Sequence, residues 1–247
     1  MDHVLIIGGT SGIGYELARC FAQNGYKIVI ASSSRERLET TKSTLEKEYK
    51  VPIHIYEQDL AEIGAATELY QKIKSDGINI GVLVNNAGYG LIGATEAIDS
   101  EQEKRMIILN VINLVELCKL FIANMYSMGR GKILNTASIG AFQPGPYSST
   151  YFASKAFVLS YSRAIRYEAK KRGVHVCAVC PGTTKTDFFN KEGVKTPSYA
   201  LSAERVAKTA YRQLMNNKEK SIPGFVIRVM HLFPTKIKMS FVAKLKG

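Results

Sequence analysis

Short runs of consecutive apolar residues alternate along the chain with longer segments in which apolar residues recur every three or four positions. The short runs are typical of strands buried on both faces, and the longer segments are typical of helices that pack on a sheet. This order predicts right-handed crossovers and an α/β fold built on a doubly wound parallel sheet with helices on both faces. Strands are predicted at 4–7, 27–31, 51–56, 80–84, 132–137 and 174–179, and helices at 35–49, 61–75, 99–128 and 151–172, with a first helix that ends near residue 24.

The length and composition fit one domain. The chain has 247 residues, of which 46% are hydrophobic, so a sizeable core is available. Residues 1–222 are assigned to this domain, and residues 223–247 to a C-terminal extension of it. The chain shows no signal-peptide pattern and no 18-residue apolar stretch, so neither secretion nor a membrane-spanning helix is expected.

Glycines and polar residues follow the predicted strands. The segment Gly8–Gly14 contains four glycines and lies between the first strand and the first helix. Glycine allows the backbone to turn tightly and approach a phosphate, and a helix N-terminus favours negative charge. A purely structural turn is the alternative for this motif taken alone. Ligands of doubly wound sheets bind at the carboxyl ends of the strands, where further such positions fall at 32–35, 59, 85–88, 138 and 181–182.

The pattern Tyr-x-x-x-Lys places a phenol and an ammonium group on one face of a helix. It occurs three times, so it does not identify a site by itself. The three copies are Tyr70 with Lys74, Tyr151 with Lys155, and Tyr167 with Lys171.

A serine stands thirteen residues before both Tyr151 and Tyr167. Ser154 and Tyr167 are predicted on one continuous helix, about 20 Å apart, so they could not contact one substrate. Ser138 instead ends a strand, and the loop 140–150 can bring it close to Tyr151. The functional set is therefore expected at Ser138, Tyr151 and Lys155, and the other two Tyr-Lys pairs are expected on solvated helix faces.

Seven motifs occur in a fixed order: Gly8-x-x-x-Gly12-x-Gly14, Asp59, Asn85-Asn86-Ala87-Gly88, Asn110, Ser138, Tyr151-x-x-x-Lys155 and Pro181-Gly182-x-x-x-Thr186. Together they resemble the short-chain dehydrogenase/reductase family, over about residues 3–190. The resemblance implies a Rossmann-like fold and an oxidoreductase that transfers hydride between a nicotinamide cofactor and a carbonyl compound or alcohol. One departure is Ile7, where the family usually has threonine. This change is expected to loosen a local turn contact without removing a catalytic group.

The resemblance implies that Tyr151 is the general acid in reduction, or the base in oxidation. A tyrosine has an ordinary pKa of about 10, so it is a poor acid or base near neutral pH. Lys155 and the positive nicotinamide ring would lower that pKa, and Lys155 would also hold the nicotinamide ribose. By the same resemblance, Ser138 would hydrogen-bond the substrate oxygen, and Asn110 would anchor a water that leads protons to Lys155. Taken alone, Asn110 is equally compatible with one polar residue on a helix.

The end of the second strand decides between NADP(H) and NAD(H). An acid there would bind the ribose hydroxyls and repel a 2′-phosphate, but Ser32, Ser33, Ser34 and Arg35 include none. NADP(H) is therefore expected in preference to NAD(H), although Ser33 stands where many NADP-preferring relatives carry a basic residue. The alternative for the serines is a helix N-cap, with Ser34 directly before residues 35–37 of the next helix, and both roles can hold together.

Other cofactor contacts are implied by the resemblance alone. Asp59 would receive the adenine amino group with the backbone of Leu60 beside it, and Thr186 would contact the carboxamide or the diphosphate. The expected cofactor-binding residues are Gly8, Thr10, Ser11, Gly12, Ile13, Gly14, Ser32, Ser33, Ser34, Arg35, Asp59, Leu60, Asn86, Ala87, Gly88, Tyr151, Lys155, Pro181, Gly182, Thr184 and Thr186.

The four cysteines include a pair, Cys177 and Cys180, at a spacing known from redox and metal sites. The pair belongs to a predicted buried strand, where residues three apart point to opposite faces. No second Cys or His pair stands at zinc spacing. Reduced core thiols, no metal and a cytoplasmic protein are therefore expected.

Residues near the expected pocket favour a bulky or apolar carbonyl or alcohol substrate; these are Tyr89, Ile139, Phe142, Pro144, Tyr147, Phe188 and Phe189. Residues 185–201 are polar and contain a glycine and a proline, which is typical of a mobile lid. A plain surface connection is the alternative.

The net charge of +12 is uneven, because residues 220–247 carry six basic residues and no acid. Within 223–247, lysines alternate with apolar residues, as in a pair of short basic amphipathic helices. This extension is expected to pack on its own or a partner subunit, and the alternative is an anionic membrane surface.

Nucleic-acid binding is not expected, since no recognition element is found. A homodimer or homotetramer is expected from the family. A non-catalytic nucleotide-binding or interaction protein on the same fold is the alternative function. Its expected mark, a degenerate active site, is missing from this sequence.

Overall fold

The computed structural model describes residues 3–186, 200–224 and 234–246. Its strands are β1 His3–Ile7, β2 Lys27–Ser32, β3 Ile53–Glu57, β4 Ile80–Asn85, β5 Gly131–Thr136, β6 Val174–Val179, β7 Thr184–Lys185, β8 Leu201–Ser202 and β9 Lys220–Ser221. Seven strands form one parallel sheet in the order β3-β2-β1-β4-β5-β6-β9, and β7 pairs with β8 separately. The predicted α/β fold with a doubly wound parallel sheet is confirmed.

The described residues form eight α-helices. They are α1 Gly12–Gln23, α2 Arg35–Tyr49, α3 Ala65–Ser75, α4 Ser100–Ile107, α5 Asn113–Met128, α6 Ser149–Lys170, α7 Ala203–Met215 and α8 Thr235–Lys246. A π-helical turn, Ile108–Ile112, joins α4 to α5, and a 3₁₀ turn, Ile139–Phe142, follows β5. Helix α3 starts at Ala65 rather than at 61, and α7 is an element that the sequence analysis did not predict.

The sheet is covered on both faces. Helices α1, α2 and α7 contribute to the core on one face, and α3, α5 and α6 contribute to the core on the other. Alternate residues of β1 accordingly enter different cores, with Val4 and Ile6 on one side and Leu5 and Ile7 on the other. Burial on both faces explains why the strands read as continuous apolar runs.

The helical segment Ser100–Met128 is long and apolar enough to cross a membrane, judged by length and composition alone. From the sequence, no 18-residue apolar stretch is expected; isolated polar and charged residues interrupt this segment, but its mean hydropathy is high enough to meet the criterion. In the fold this segment packs against the sheet, with Met106, Leu117 and Phe121 buried. The core helix of an α/β protein passes the same composition test.

All four cysteines are buried and free. Cys177 enters one core and Cys180 the other, as predicted for this spacing. Burial raises the pKa of each of these two thiols to about 12, so both stay protonated near neutral pH and are poor nucleophiles. In the ranges that the structure covers, no group of three or more His, Cys, Asp or Glu side chains could hold a metal.

The C-terminal helix α8 contacts the loop after β5. Lys238 Nζ donates a hydrogen bond to the carbonyl oxygen of Phe142 at 3.4 Å, and Val242 is buried. The Nζ atom of Lys220 lies 6.0 Å from the centre of the Phe142 ring. The basic tail is thus attached to the same loop that follows Ser138.

Candidate active site

The glycine-rich turn after β1 is held tightly against the turn after β4. Gly8 has φ +74°, and a Cβ there would lie 3.0 Å from Ala87 Cα. Asn86 Nδ2 donates to Gly8 O at 3.2 Å, and Ala87 N donates to Ile7 O at 2.9 Å. These contacts between the two turns are therefore present with Ile7, where the family usually has threonine.

The N-terminus of α1 is open to an anion. Ser11 is the N-cap, its side chain makes no capping hydrogen bond, and the first turn has no acidic side chain. A Cβ at Gly14 would fall 2.0 Å from Gly8 O, and one at Gly12 would fall 2.9 Å from Thr186 Cγ2. Only glycine allows the backbone to pack this closely, and the exposed N–H groups of such a turn suit a phosphate.

The end of β2 faces the same turn. Thr10 Oγ1 lies 3.3 Å from Ser32 Oγ, so residue 32 lies directly beside the glycine-rich segment. Ser34 is the N-cap of α2, where its side chain accepts a hydrogen bond from Arg37 N at 3.4 Å. Arg35 pairs with Glu39 at 2.5 Å on the exposed face of α2. The N-cap role expected for Ser34 is therefore confirmed, and Ser32 contacts the glycine-rich turn.

Lys155 lies at the centre of the candidate site. Its side chain is 4% exposed, and Nζ donates to the carbonyl oxygen of Thr136 at 3.0 Å. Removal from water disfavours the charged amine and lowers the pKa of Lys155 to about 8. Nζ also lies 5.8 Å from the centre of the Tyr151 ring, as expected for residues four apart on α6.

Asn110 is fully buried in the π-helical turn between α4 and α5. Its Nδ2 donates to Tyr89 O at 2.9 Å and to Ser154 Oγ at 3.3 Å. Its Oδ1 has no hydrogen-bond partner among the described residues. A buried acceptor without a partner is costly, which fits a site that receives a water or a ligand.

Gly88 lies between Asn110 and Lys155. A Cβ at Gly88 would stand 2.7 Å from Asn110 Oδ1 and 3.1 Å from Lys155 Nζ. The turn after β4 and the catalytic candidates of two helices therefore meet at one point, where no larger residue fits without moving them.

Ser138 lies two residues after the end of β5, and it is the N-cap of the 3₁₀ turn. Its Oγ accepts a hydrogen bond from Gly140 N at 3.0 Å. Because this contact uses the oxygen as an acceptor, the hydroxyl proton remains available to a substrate oxygen. Tyr151 is half-buried in the first turn of α6, where its ring packs edge-on against Phe152 at 5.9 Å.

The segment after β6, residues 181–186, packs against the turn beyond Ser138. Pro181 O accepts a hydrogen bond from Ile139 N at 2.9 Å, which ties this segment to the turn beyond Ser138. Thr184 is buried and donates to Gly182 O at 2.9 Å. Thr186 lies beside Gly12 in the glycine-rich turn, so this segment extends from the turn beyond Ser138 to the glycine-rich turn.

Asp59 and Leu60 follow β3, as predicted, but in contacts that the sequence did not reveal. Asp59 accepts hydrogen bonds from Ala61 N at 2.9 Å and from Arg105 Nη2 at 2.7 Å. Leu60 O accepts one from Asn113 Nδ2 at 2.7 Å. Because these contacts hold residues 59–64 as a loop, α3 begins later than predicted.

The residues predicted near the substrate divide into groups. Tyr89 donates from its hydroxyl to Gln102 O at 3.0 Å, and Phe142 packs on the core. Tyr147 is 42% exposed and has φ +60°, a conformation held by a hydrogen bond from Gly93 N to its carbonyl oxygen. Phe188, Phe189 and most of the proposed lid lie outside the described residues.

The other two Tyr-x-x-x-Lys pairs are not associated with a comparable site. Tyr167 is 79% exposed and lies on the same continuous helix as Ser154, as predicted. Tyr70 is not simply a solvated face, because its ring packs edge-on against Phe121 at 5.2 Å and its hydroxyl donates to Asn124.

Known proteins resemble this chain over most of its length. The short chain dehydrogenase family matches residues 2–197. A very-long-chain 3-oxoacyl-CoA reductase of Anas platyrhynchos is 28% identical, over 97% of this chain and 78% of the relative. A sulfoacetaldehyde reductase of Chromohalobacter salexigens is 33% identical, over 85% of this chain and 83% of the relative.

One solved structure resembles this chain over almost the full length of both proteins. It is a short-chain dehydrogenase from Sphingobium yanoikuyae in complex with NADPH, with a TM-score of 0.87 and 27% identity, over 100% of this chain and 97% of the other. The family match covers well over half of the sequence, and the sheet order and the motif positions agree with it. This chain therefore belongs to the short-chain dehydrogenase/reductase family of oxidoreductases.

Proposed function

We propose that this protein is an NADP(H)-dependent reductase of a bulky or apolar carbonyl compound, with Tyr151 as the proton donor. The observation that carries the proposal is the convergence of Asn110, Gly88 and Lys155 at one buried point, four residues along α6 from Tyr151. These groups belong to three separate parts of the chain, and structural needs alone do not require a lysine to be buried there.

Each residue would have a distinct role. Tyr151 would give its proton to the carbonyl oxygen, while the Ser138 hydroxyl donates a hydrogen bond to that same oxygen. Lys155, charged below its pKa of about 8, would stabilise the phenolate that remains. Asn110 would hold a water at its unpartnered Oδ1, from which the proton on Tyr151 is restored.

NADP(H) would supply or accept the hydride when bound. The residues fit that group: the glycine turn, the open N-terminus of α1 and the acid-free end of β2 would hold the diphosphate and the 2′-phosphate. Ser32 and Thr10, side by side, would face the adenosine ribose. The similar structure that contains NADPH supports this preference over NAD(H).

The substrate class rests on two kinds of support. Ile139, Pro144 and Tyr147, in the segment between Ser138 and α6, are partly or fully exposed, and one relative is named for very-long-chain 3-oxoacyl-CoA. A second relative is named for sulfoacetaldehyde, a small anionic compound, so the two classes have to be compared directly. A bulky or long-chain carbonyl compound is the choice that the apolar residues favour.

The test is NADPH and NADH oxidation by the purified chain against three carbonyl classes: a long-chain 3-oxoacyl thioester, a bulky ketone and sulfoacetaldehyde. Turnover with NADPH on one of the first two supports the proposal. Turnover on sulfoacetaldehyde alone refutes the substrate class. Cofactor binding without turnover on any of them would favour a non-catalytic nucleotide-binding protein.

The remaining assignments are also proposals. The contacts of Lys238 and Val242 support a tail that packs on its own subunit rather than on a membrane. We further propose a cytoplasmic homodimer or homotetramer with no nucleic-acid partner. Cosedimentation with anionic lipid vesicles tests the tail, and the expected result is no binding at physiological salt.

A further inference from the structure

The carboxylate of Asp59 is held by an arginine from a different element. Arg105, on α4, donates from Nη2 to Asp59 Oδ2 at 2.7 Å, while Ala61 N donates to Oδ1 at 2.9 Å. The other terminal nitrogen of Arg105 pairs with Glu62. One guanidinium thus links two carboxylates of the loop that follows β3.

This ion pair contributes little to stability. The side chains of Arg105 and Asp59 are 43% and 46% exposed, so water and salt screen their attraction. The loop backbone has its own attachment, since the buried Asn113 donates to Leu60 O and to Glu62 O, each at 2.7 Å. Arg105 therefore fixes the rotation of the Asp59 carboxylate rather than the position of the loop.

We propose that Arg105 is a positioning residue that orients Asp59 to accept the amino group of the cofactor's adenine. The inference rests on the proposed function, in which Asp59 lies at the adenine end of the cofactor. A carboxylate has about four lone-pair positions, and the two contacts described above leave others for an incoming N–H donor. A carboxylate that is already held loses less rotational freedom when the adenine binds.

The experiment compares two reduced cofactors by calorimetry on the full chain. One is NADPH, and the other is its hypoxanthine analogue, in which the adenine amino group is replaced by a carbonyl oxygen. The wild type is expected to bind NADPH more tightly, because Asp59 can accept from the amino group and is repelled by the carbonyl oxygen. Arg105→Met is expected to raise the Kd for NADPH about tenfold and to change the Kd for the analogue less than about twofold.

Two further variants make the readout specific. Arg19→Met removes a comparable arginine, which links Glu16 and Glu48 at 3.2 and 3.1 Å, and it should leave both Kd values unchanged. The single variant Asp59→Asn should lower the preference for NADPH over the hypoxanthine analogue. In the double variant, loss of Arg105 should then have little further effect, because the two residues act as one unit.

Equal weakening of both cofactors by Arg105→Met would overturn the proposal, since that pattern indicates a general change in the fold. An unchanged Kd for NADPH would also overturn it, as would additive effects in the double variant. A wild type that binds neither dinucleotide would instead refute the proposed function, so the two failures are distinguishable.

Discussion

The ammonium of Lys155 lies 3.0 Å from the carbonyl oxygen of Thr136, in a pocket where the lysine is almost completely removed from water. One backbone carbonyl replaces only part of the lost hydration. The charged form is therefore disfavoured, and the pKa falls from an ordinary 10.5 to about 8. A residue held at this cost is expected to have a function.

The first prediction concerns the pH dependence of stability. Between pH 8 and 10.5, Lys155 is protonated in the unfolded chain but largely neutral in the folded one. The unfolded state then binds more protons, so this residue makes stability rise with pH, by about 3 kcal/mol over that interval. Below pH 8 the cost of burying the charge is fully present, and its contribution no longer changes with pH.

The measurement is the free energy of unfolding in urea for the cofactor-free wild type and for Lys155→Met at a series of pH values. The wild type should gain stability relative to the variant as the pH rises from 8 to 10.5. Taking the difference cancels the cysteines, which titrate in the same range in both proteins. If the difference in free energy of unfolding between the two proteins stays constant with pH, the pKa of Lys155 is not lowered by folding.

The second prediction concerns Gly88. In Gly88→Ala, the added methyl group would lie 2.7 Å from Asn110 Oδ1 and 3.1 Å from Lys155 Nζ, so at least one of these groups must move. Displacement of a catalytic group by about 1 Å can cost about a hundredfold in rate, and we expect a loss of that size in kcat/KM. Gly77→Ala is the control for general destabilisation, because Gly77 has φ +68°, which strains any side chain, but has open space around it. Similar losses in both variants would indicate general destabilisation instead.

The third prediction concerns cofactor choice. Ser32 lies 3.3 Å from Thr10 in the glycine-rich turn, so an acid in its place would face the phosphate end of the adenosine ribose. Ser32→Asp should lower the ratio of kcat/KM for NADPH to that for NADH by roughly tenfold or more, through charge repulsion. Ser43→Asp adds the same charge on the exposed part of α2 and should leave the ratio unchanged. An unchanged ratio in Ser32→Asp would place the 2′-phosphate elsewhere.

Elements with strong local signals could be predicted from the sequence. Strand β6 and helix α2 have the predicted bounds, because a run that is apolar except for His175 marks β6 and an N-capping serine marks the start of α2. Helix α7 could have been found, since Ser202 caps it through Arg205 N and apolar residues recur at helical spacing after it. Strand β9 has only two residues and exists because it pairs with β6, so no local pattern identifies it.

The sequence was sufficient to predict which residue types form the site, but not which atoms those residues contact. Spacing and helix geometry predicted Ser138, Tyr151 and Lys155 as one set, because the loop 140–150 can bring the end of a strand to the start of the next helix. The partners of these groups are backbone atoms or distant side chains, such as Thr136 O for Lys155 and Arg105 for Asp59. Such pairings depend on how helices cross the sheet, which a single sequence does not specify.

The central claim is that Tyr151 transfers the proton, and its most direct test is the rate of NADPH-dependent carbonyl reduction by Tyr151→Phe. The matched control is Tyr167→Phe, which changes an exposed tyrosine of the same Tyr-x-x-x-Lys pattern. We expect Tyr151→Phe to bind NADPH normally but to lose about a hundredfold or more in kcat, and Tyr167→Phe to keep the wild-type rate. If Tyr151→Phe turns over at a rate close to that of the wild type, the proton comes from another group and the proposed mechanism is wrong.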